Sequence, residues 1–344
     1  MQISAPIRRA ARFLGILVGG TIAGLAFPAA ADSLAQEDVQ RIIEAVVGIE
    51  AQVPADARSV ESLGRQRTGT GMVIDGNGLV LTVGYLILEA AEVSVYGPDG
   101  RPVPAAVVGY DHETGFGLVR TALPLKVKPL ALGRSAELEV GDSVLAIARL
   151  GPAPVMPQMV VNRRDFAGNW EYLLENALFT SPPLPGFGGA ALIGVDGTLL
   201  GVGSLFVQDA IAGHDPLPGN MFIPIDLLKP ILADLLTDGR RSGPAQPWLG
   251  LYTGETGGRV VIARVVAGGP AEAAGLKPGD IIMGVGGKSV QDMVDFMRKV
   301  RTQGKAGDDI PIDVMSGATA DMTIGRRVIH SRDRHDWLRL KRDL

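Results

Sequence analysis

From residue 44 to residue 236 the chain runs as short apolar stretches, at 71–74, 79–82, 93–96, 107–110, 143–148 and 199–202, cut by Gly, Pro and Asp. Stretches this short do not suit long helices, but they suit strands that reverse at tight turns. Asp75-Gly76-Asn77-Gly78 and Asp99-Gly100 are the strongest turn signals, because Asn and Gly accept the left-handed backbone of a short hairpin loop. Many short strands so spaced predict a β-sandwich or β-barrel, and roughly 200 residues leave room for two small barrels. A helix is expected over 225–236, where Asp226 caps and Leu227, Leu228, Ile231, Leu232 and Leu235 share a face.

Residues 237–246, TDGRRSGPAQ, read as a polar linker. Beyond it the pattern changes to strands at 248–252, 260–266, 281–285 and 310–314, with helices near 271–274 and over 290–301. This is a small α+β module over 247–325. Residues 326–344 hold seven basic and three acidic residues and read as a solvated tail.

The first 31 residues read as a secretory leader: Arg8, Arg9 and Arg12, an apolar segment over 13–27, then Ala29-Ala30-Ala31. The apolar segment is shorter than the about 20 residues of a membrane span, so the membrane enters only if the leader stays uncleaved. The net charge of −4 becomes more negative without the leader arginines, which argues against a nucleic-acid partner. With no cysteine, disulfides, thiolate metal sites and a cysteine nucleophile are excluded.

Three stretches carry a family resemblance. Residues 69–87 read GTGMVIDGNGLVLTVGYLI, 99–120 read DGRPVPAAVVGYDHETGFGLVR, and 185–192 read PGFGGAAL. Without gaps they resemble the histidine, aspartate and serine segments of the HtrA (Deg) family of exported trypsin-like serine proteases with a C-terminal PDZ domain. The later stretches VDGTLLGVG (195–203), FIPIDLLKPIL (222–232), WLGL (248–251) and VVAGGPAEAAGLKPGDIIMGVGGKSV (265–290) are similar to the same family. The resemblance implies a mainly β fold, a chymotrypsin-like double β-barrel over 32–236 followed by a PDZ domain. It also places Tyr85 where the family has its histidine, Gly115 where it has its aspartate, and Gly188 where it has its serine.

Those substitutions remove the chemistry. A serine hydroxyl needs an imidazole to take its proton, and the imidazole needs an acid to orient it. Gly188 and Gly115 have no side chain, and a phenol, with an ordinary pKa near 10, is a poor general base at neutral pH. The expectation is a pseudoprotease without catalytic residues, cofactor or metal; the alternative is a serine endopeptidase with a rearranged site. His112, beside Asp111 and Glu113, is expected as a solvated turn histidine rather than a relocated base. His214 is placed on a surface loop, His330 and His335 in the tail, and Ser181 at a strand end. GVGGKS at 284–289 lacks the first glycine of a phosphate loop, and GTG at 69–71 lacks the rest of a dinucleotide fingerprint.

By the resemblance, Gly186 and Gly188 supply a vestigial oxyanion hole, which the bulky Phe187 could instead block. In the PDZ module, Trp248, Leu249, Gly250 and Leu251 supply N–H groups to a terminal carboxylate, 260–264 with Val260 and Ile262 is the pairing strand, and Met293 and Met297 line the pocket. Such domains add an extended C-terminus as a strand, so the expected partners are protein C-termini or unfolded polypeptides, and an active HtrA relative, in the periplasm. Family members trimerise through aromatic residues near the mature N-terminus. Residues 32–84 contain none, which argues against a trimer here.

Overall fold

The computed structural model describes residues 36–338, apart from 150, 152–153, 214–215 and 318–322. The leader and His214 lie outside the described residues. No helix among those described is long and apolar enough to cross a membrane.

Helix α1 (Gln36–Ala45) leads into strand β1 (Val46–Gln52); a short α2 (Val60–Leu63) separates it from β2 (Gln66–Val73). With β3 (Leu79–Val83), β4 (Glu92–Tyr96), β5 (Pro102–Tyr110) and β6 (Phe116–Thr121) they close a barrel in the order β1-β2-β3-β6-β5-β4. Closure leaves no unpaired sheet edge. The β2–β3 turn is built as its sequence implies. Asp75 Oδ1 accepts from the backbone N–H groups of Asn77 and Leu79, each at 2.8 Å, and Gly78 takes a φ of +79°.

The second barrel comprises β7 (Ser143–Ile147), β8 (Val155–Gly168), β9 (Tyr172–Ser181), β10 (Ala191–Ile193), β11 (Leu199–Val207) and β12 (Gly219–Pro224), closed in the order β10-β11-β12-β9-β8-β7. One apolar cluster runs through both barrels, from Ile49, Leu81 and Phe116 to Phe179 and Ile223. Where the barrels meet, the Thr70 N–H donates to the Gly188 carbonyl at 2.9 Å. The next residue must be glycine: Gly189 has a φ of +77°, and a Cβ there would stand 1.9 Å from the Thr70 carbonyl oxygen.

The expected helix over 225–236 is broken. A 3₁₀ turn spans Ile225–Leu227 and α3 spans Leu232–Asp238. Pro230 lies between them; it has no N–H to donate and disfavours helical backbone at the residue before it.

The last module is a sheet of β13 (Leu251–Thr256), β14 (Arg259–Val265), β15 (Ile281–Val285), β17 (Asp309–Ser316) and β18 (Thr323–His330) in that order, with β16 (Lys288–Ser289) paired to β15. Short α4 (Pro270–Ala273) and α5 (Met293–Gln303) complete it. Asp292 caps α5 by accepting from the Asp295 N–H at 2.7 Å. Phe296, Met297 and Val300 of α5 pack with Val260, Ile262 and Ile312 in one core.

The tail expected over 326–344 is folded as far as it is described. Residues 326–330 belong to β18, paired along β17 from Asp309↔His330 to Ser316↔Thr323. Its charges mark the solvent face of an edge strand, where Arg326 pairs with Asp313 at 2.7 Å. Helix α6 (Arg334–Leu338) then returns to the body. Trp337 lies 5.1 Å from the Trp248 ring, with the Arg58 guanidinium 3.5 Å over its face. The polar stretch before β13 is tied down as well: Arg240 pairs with Asp333, and Arg241 with Asp111 and Glu113.

Candidate functional site

Two clefts bear on function. The first lies between the barrels. Tyr85 sits in the 3₁₀ turn Gly84–Leu86 that follows β3. Its hydroxyl donates to the Ser204 carbonyl at 2.9 Å, and burial pushes the phenol well above its ordinary pKa. Gly188 faces it: a Cβ there would stand 3.1 Å from the Tyr85 oxygen. Gly115 joins the pair through backbone, its carbonyl accepting from the Gly84 N–H at 2.7 Å.

The space a side chain on Gly115 would enter is taken. A Cβ there would stand 3.2 Å from the Tyr172 hydroxyl and 3.4 Å from Ile223, and Gly115 holds a φ of +82°. Tyr172 donates to the Thr114 carbonyl at 2.6 Å. The three positions named from sequence therefore converge, and a second phenol occupies what Gly115 leaves open. In the adjoining loop the Gly188 carbonyl is engaged by Thr70, the Phe187 carbonyl accepts from the Ala190 N–H at 2.9 Å, and Gly186 and Phe187 are half-buried. Ser181 donates to the Pro218 carbonyl at 2.9 Å, a strand-end role.

His112 is not a solvated turn histidine. Both ring nitrogens are shut off from solvent, and neither has a hydrogen-bond partner among the described residues. Its ring meets Tyr110 edge-on at 4.4 Å and His335 at 4.5 Å. Burial, then the nearby charges of Arg334, His335 and Arg240, hold its pKa well below the usual imidazole value. The cause is tertiary: α6 folds over it, bringing His335 out of the supposed tail.

The second cleft lies between β13 and α5. β14 cannot be the pairing strand expected over 260–264, because it is flanked by β13 and β15. Val260 and Ile262 are each 1% exposed and belong to the core. The edge on the groove side is β13, preceded by Leu249 and by Gly250 with its φ of +81°. Met293 and Met297 are buried on the facing helix, and the Met293 N–H donates to Glu255 at 2.8 Å, joining α5 to β13. Trp248 points instead to Trp337, and its N–H bonds the Arg332 carbonyl at 3.0 Å.

The tip of the β8–β9 hairpin enters this groove, which no sequence signal announced. Glu171 accepts from the Leu249 N–H at 2.8 Å and from the Leu251 N–H at 2.6 Å, while the Asn169 carbonyl accepts from the Thr253 N–H at 2.9 Å. Leu173, 2% exposed, joins the apolar cluster of Phe296, Met297 and Val300. Beside it remains a cavity of about 90 Å³, lined by Glu171, Leu249, Phe296, Met297, Arg301 and His112, among others.

Comparison with known proteins agrees with this architecture. Residues 69–202 match the trypsin-like peptidase domain family, and residues 247–322 match the PDZ domain family. "Serine protease PepD" of Mycobacterium tuberculosis is 28% identical over 308 residues, covering 83% of this chain and 65% of that protein. "Probable periplasmic serine endoprotease DegP-like" of Chlamydia trachomatis is 26% identical over 241 residues, covering 65% of this chain and 47% of that protein. Both relatives are longer than the region they share with this chain. Among solved structures, "HtrA-type protease AlgW with tripeptide" is similar in fold, with a TM-score of 0.52, 23% identity, and coverage of 89% of this chain and 97% of that one. The chain thus carries a trypsin-like peptidase domain followed by a PDZ domain, and over most of its length it is similar to serine proteases of the HtrA type.

Proposed function

We propose that this chain is a catalytically inactive HtrA-type protein of the bacterial envelope that binds peptide or unfolded-protein segments through its PDZ domain, as a scaffold, adaptor or chaperone-type module. One observation carries the loss of catalysis. At the centre of the cleft, Gly188 has no atom to attack with, and the Tyr85 hydroxyl facing it is committed to the Ser204 carbonyl. A buried phenol whose pKa is raised cannot take a proton at neutral pH. Fold alone confers no chemistry, so the relatives' protease names support ancestry rather than activity. The periplasmic name of one relative and the Arg-led leader support an envelope location.

Peptide capture is supported by the groove's construction. Leu249, Gly250 and Leu251 form a turn of backbone donors at the head of edge strand β13, and Met293, Phe296 and Met297 give the facing helix an apolar surface. Backbone donors hold a terminal carboxylate and an added strand, and methionines adapt to varied side chains. The domain limits that fit this reading are 32–236 and 247 to at least 330. An active relative is a further candidate partner, which co-purification tests; sedimentation of the mature chain tests self-assembly.

The activity test is direct. The purified chain, incubated with unfolded casein and with a phosphonate that labels activated serines, is expected to cleave nothing and take up no label. Cleavage that disappears when one of its own serines is replaced would establish the rearranged endopeptidase instead.

A further inference from the structure

We propose that the β8–β9 hairpin is an internal ligand of the PDZ groove, with the Glu171 carboxylate standing in for a peptide's C-terminal carboxylate, so that a partner's C-terminus binds only by displacing it. This rests on the peptide-capture reading above and adds how that site is controlled.

The argument begins with the spacing of donors. Along an edge strand, N–H groups on alternate residues point the same way. A ligand lying on β13 must therefore offer acceptors two residues apart. The hairpin does so. Glu171 takes the Leu249 and Leu251 N–H groups, and the Asn169 carbonyl, two residues earlier, takes that of Thr253. A carboxylate held by a turn of backbone N–H groups is the chemistry of C-terminus capture. Here a side chain provides it from within the same chain.

The rest of the hairpin is held by the same module. Arg301 donates to the Leu173 carbonyl at 3.0 Å and Arg334 to the Trp170 carbonyl at 3.3 Å, while Asp165 pairs with Arg298. Leu173 supplies the apolar contact against α5.

The fit also has costs. Glu171 holds a φ of +58°, a left-handed conformation that a non-glycine residue adopts at a penalty. Burial raises the carboxyl's pKa, against the backbone donors of Leu251, Leu249 and Gly250, which lower it. The Thr253 hydroxyl is buried with no hydrogen-bond partner among the described residues, and a cavity of about 90 Å³ adjoins the hairpin. A true C-terminus carries its carboxylate on the main chain and has its own side chain for that cavity. An occupied groove weakens the apparent affinity for such a peptide by the fraction of molecules in which the groove is open.

The test uses the full chain as wild type, Glu171→Ala and Glu171→Gln. Fluorescein-labelled decapeptides ending in Ala, Val, Leu or Phe, as free acids and as C-terminal amides, are titrated by anisotropy. Amide hydrogen exchange at Leu249, Leu251 and Thr253 is followed without peptide, and thermal melting checks the fold. The expected result is that Glu171→Ala tightens binding of at least one free acid about tenfold or more, with Glu171→Gln intermediate and the amides weak throughout. Exchange at the three N–H groups quickens in the variant. Equal affinity of wild type and Glu171→Ala for a free acid overturns the internal ligand and leaves peptide capture standing. Unchanged exchange at the three amides overturns it independently. Quickened exchange with no peptide bound by any form overturns peptide capture, and the competition with it, but not the seat of Glu171.

Discussion

The two candidate sites differ in what they are built from: side chains between the barrels, main-chain donors in the PDZ domain. Between the barrels a glycine is forced at 189 by the Thr70 carbonyl, and the site proposed there turns on which side chains stand at 85, 115 and 188. At the head of β13 the groups on offer are backbone N–H donors, and a side chain from the other domain meets them. A proton relay depends on residue identity at three positions, so three substitutions end it. A row of main-chain donors survives any substitution that keeps the strand and the turn, so it is lost only by being covered.

The sharpest challenge to that contrast is an attempt to refill the relay. The triple variant Tyr85→His, Gly115→Asp, Gly188→Ser is expected to stay far below an intact relative in casein turnover, within a gap on the order of 10⁶. Asp at 115 would need both a left-handed backbone and the space held by Tyr172. Adding Tyr172→Ala is expected to recover part of the gap. Full activity in the triple variant would show that the frame had not closed around its losses.

Leu173→Ala tests the groove from its filled side. Removing a buried leucine costs about 2–5 kcal/mol where the site cannot collapse. Because Leu173 sits on a barrel strand yet packs in the PDZ core, the loss is expected to appear as separate melting of the two domains by calorimetry. A single transition at the wild-type temperature would mean the hairpin is not docked.

A smaller effect is expected at the junction. Neither buried nitrogen of His112 has a partner among the described residues, so His112→Phe is expected to raise stability by about 1–3 kcal/mol in urea denaturation at neutral pH. The sign with pH follows from its lowered pKa. Below about 6.5 the unfolded imidazole gains a proton that the folded one resists. The wild type therefore loses stability as pH falls through 6.5, and the variant is expected to lose less. His335, its pKa also lowered mainly by burial, contributes in the same direction.

Much of this was legible in the sequence, where the signal was local. The Asp75-Gly76-Asn77-Gly78 turn and the helix expected over 290–301, found at Met293–Gln303, follow from neighbours in the chain, and so do the runs that became the barrel strands. The convergence of Tyr85, Gly115 and Gly188 was legible only through a family resemblance, since nothing near each residue points to the others. The departures lie where distant parts of the chain meet. The polarity of His112 and of the β18 arginines points to solvent, and the resemblance points to 260–264 as the pairing strand, but long-range packing decides each case. Glu171 gave no signal, because a hairpin-tip glutamate looks solvated until another domain is folded against it.

The return of the chain after Gly325 has a practical bearing. An excised PDZ fragment ending at 325 would cut β18 after its third residue, strip β17 of five of its eight ladder pairs and leave Trp248 facing water where Trp337 had lain. Such a fragment would expose a raw sheet margin apt to stick to its own copies. Aggregation in that preparation would report the place of the cut rather than any property of the intact groove.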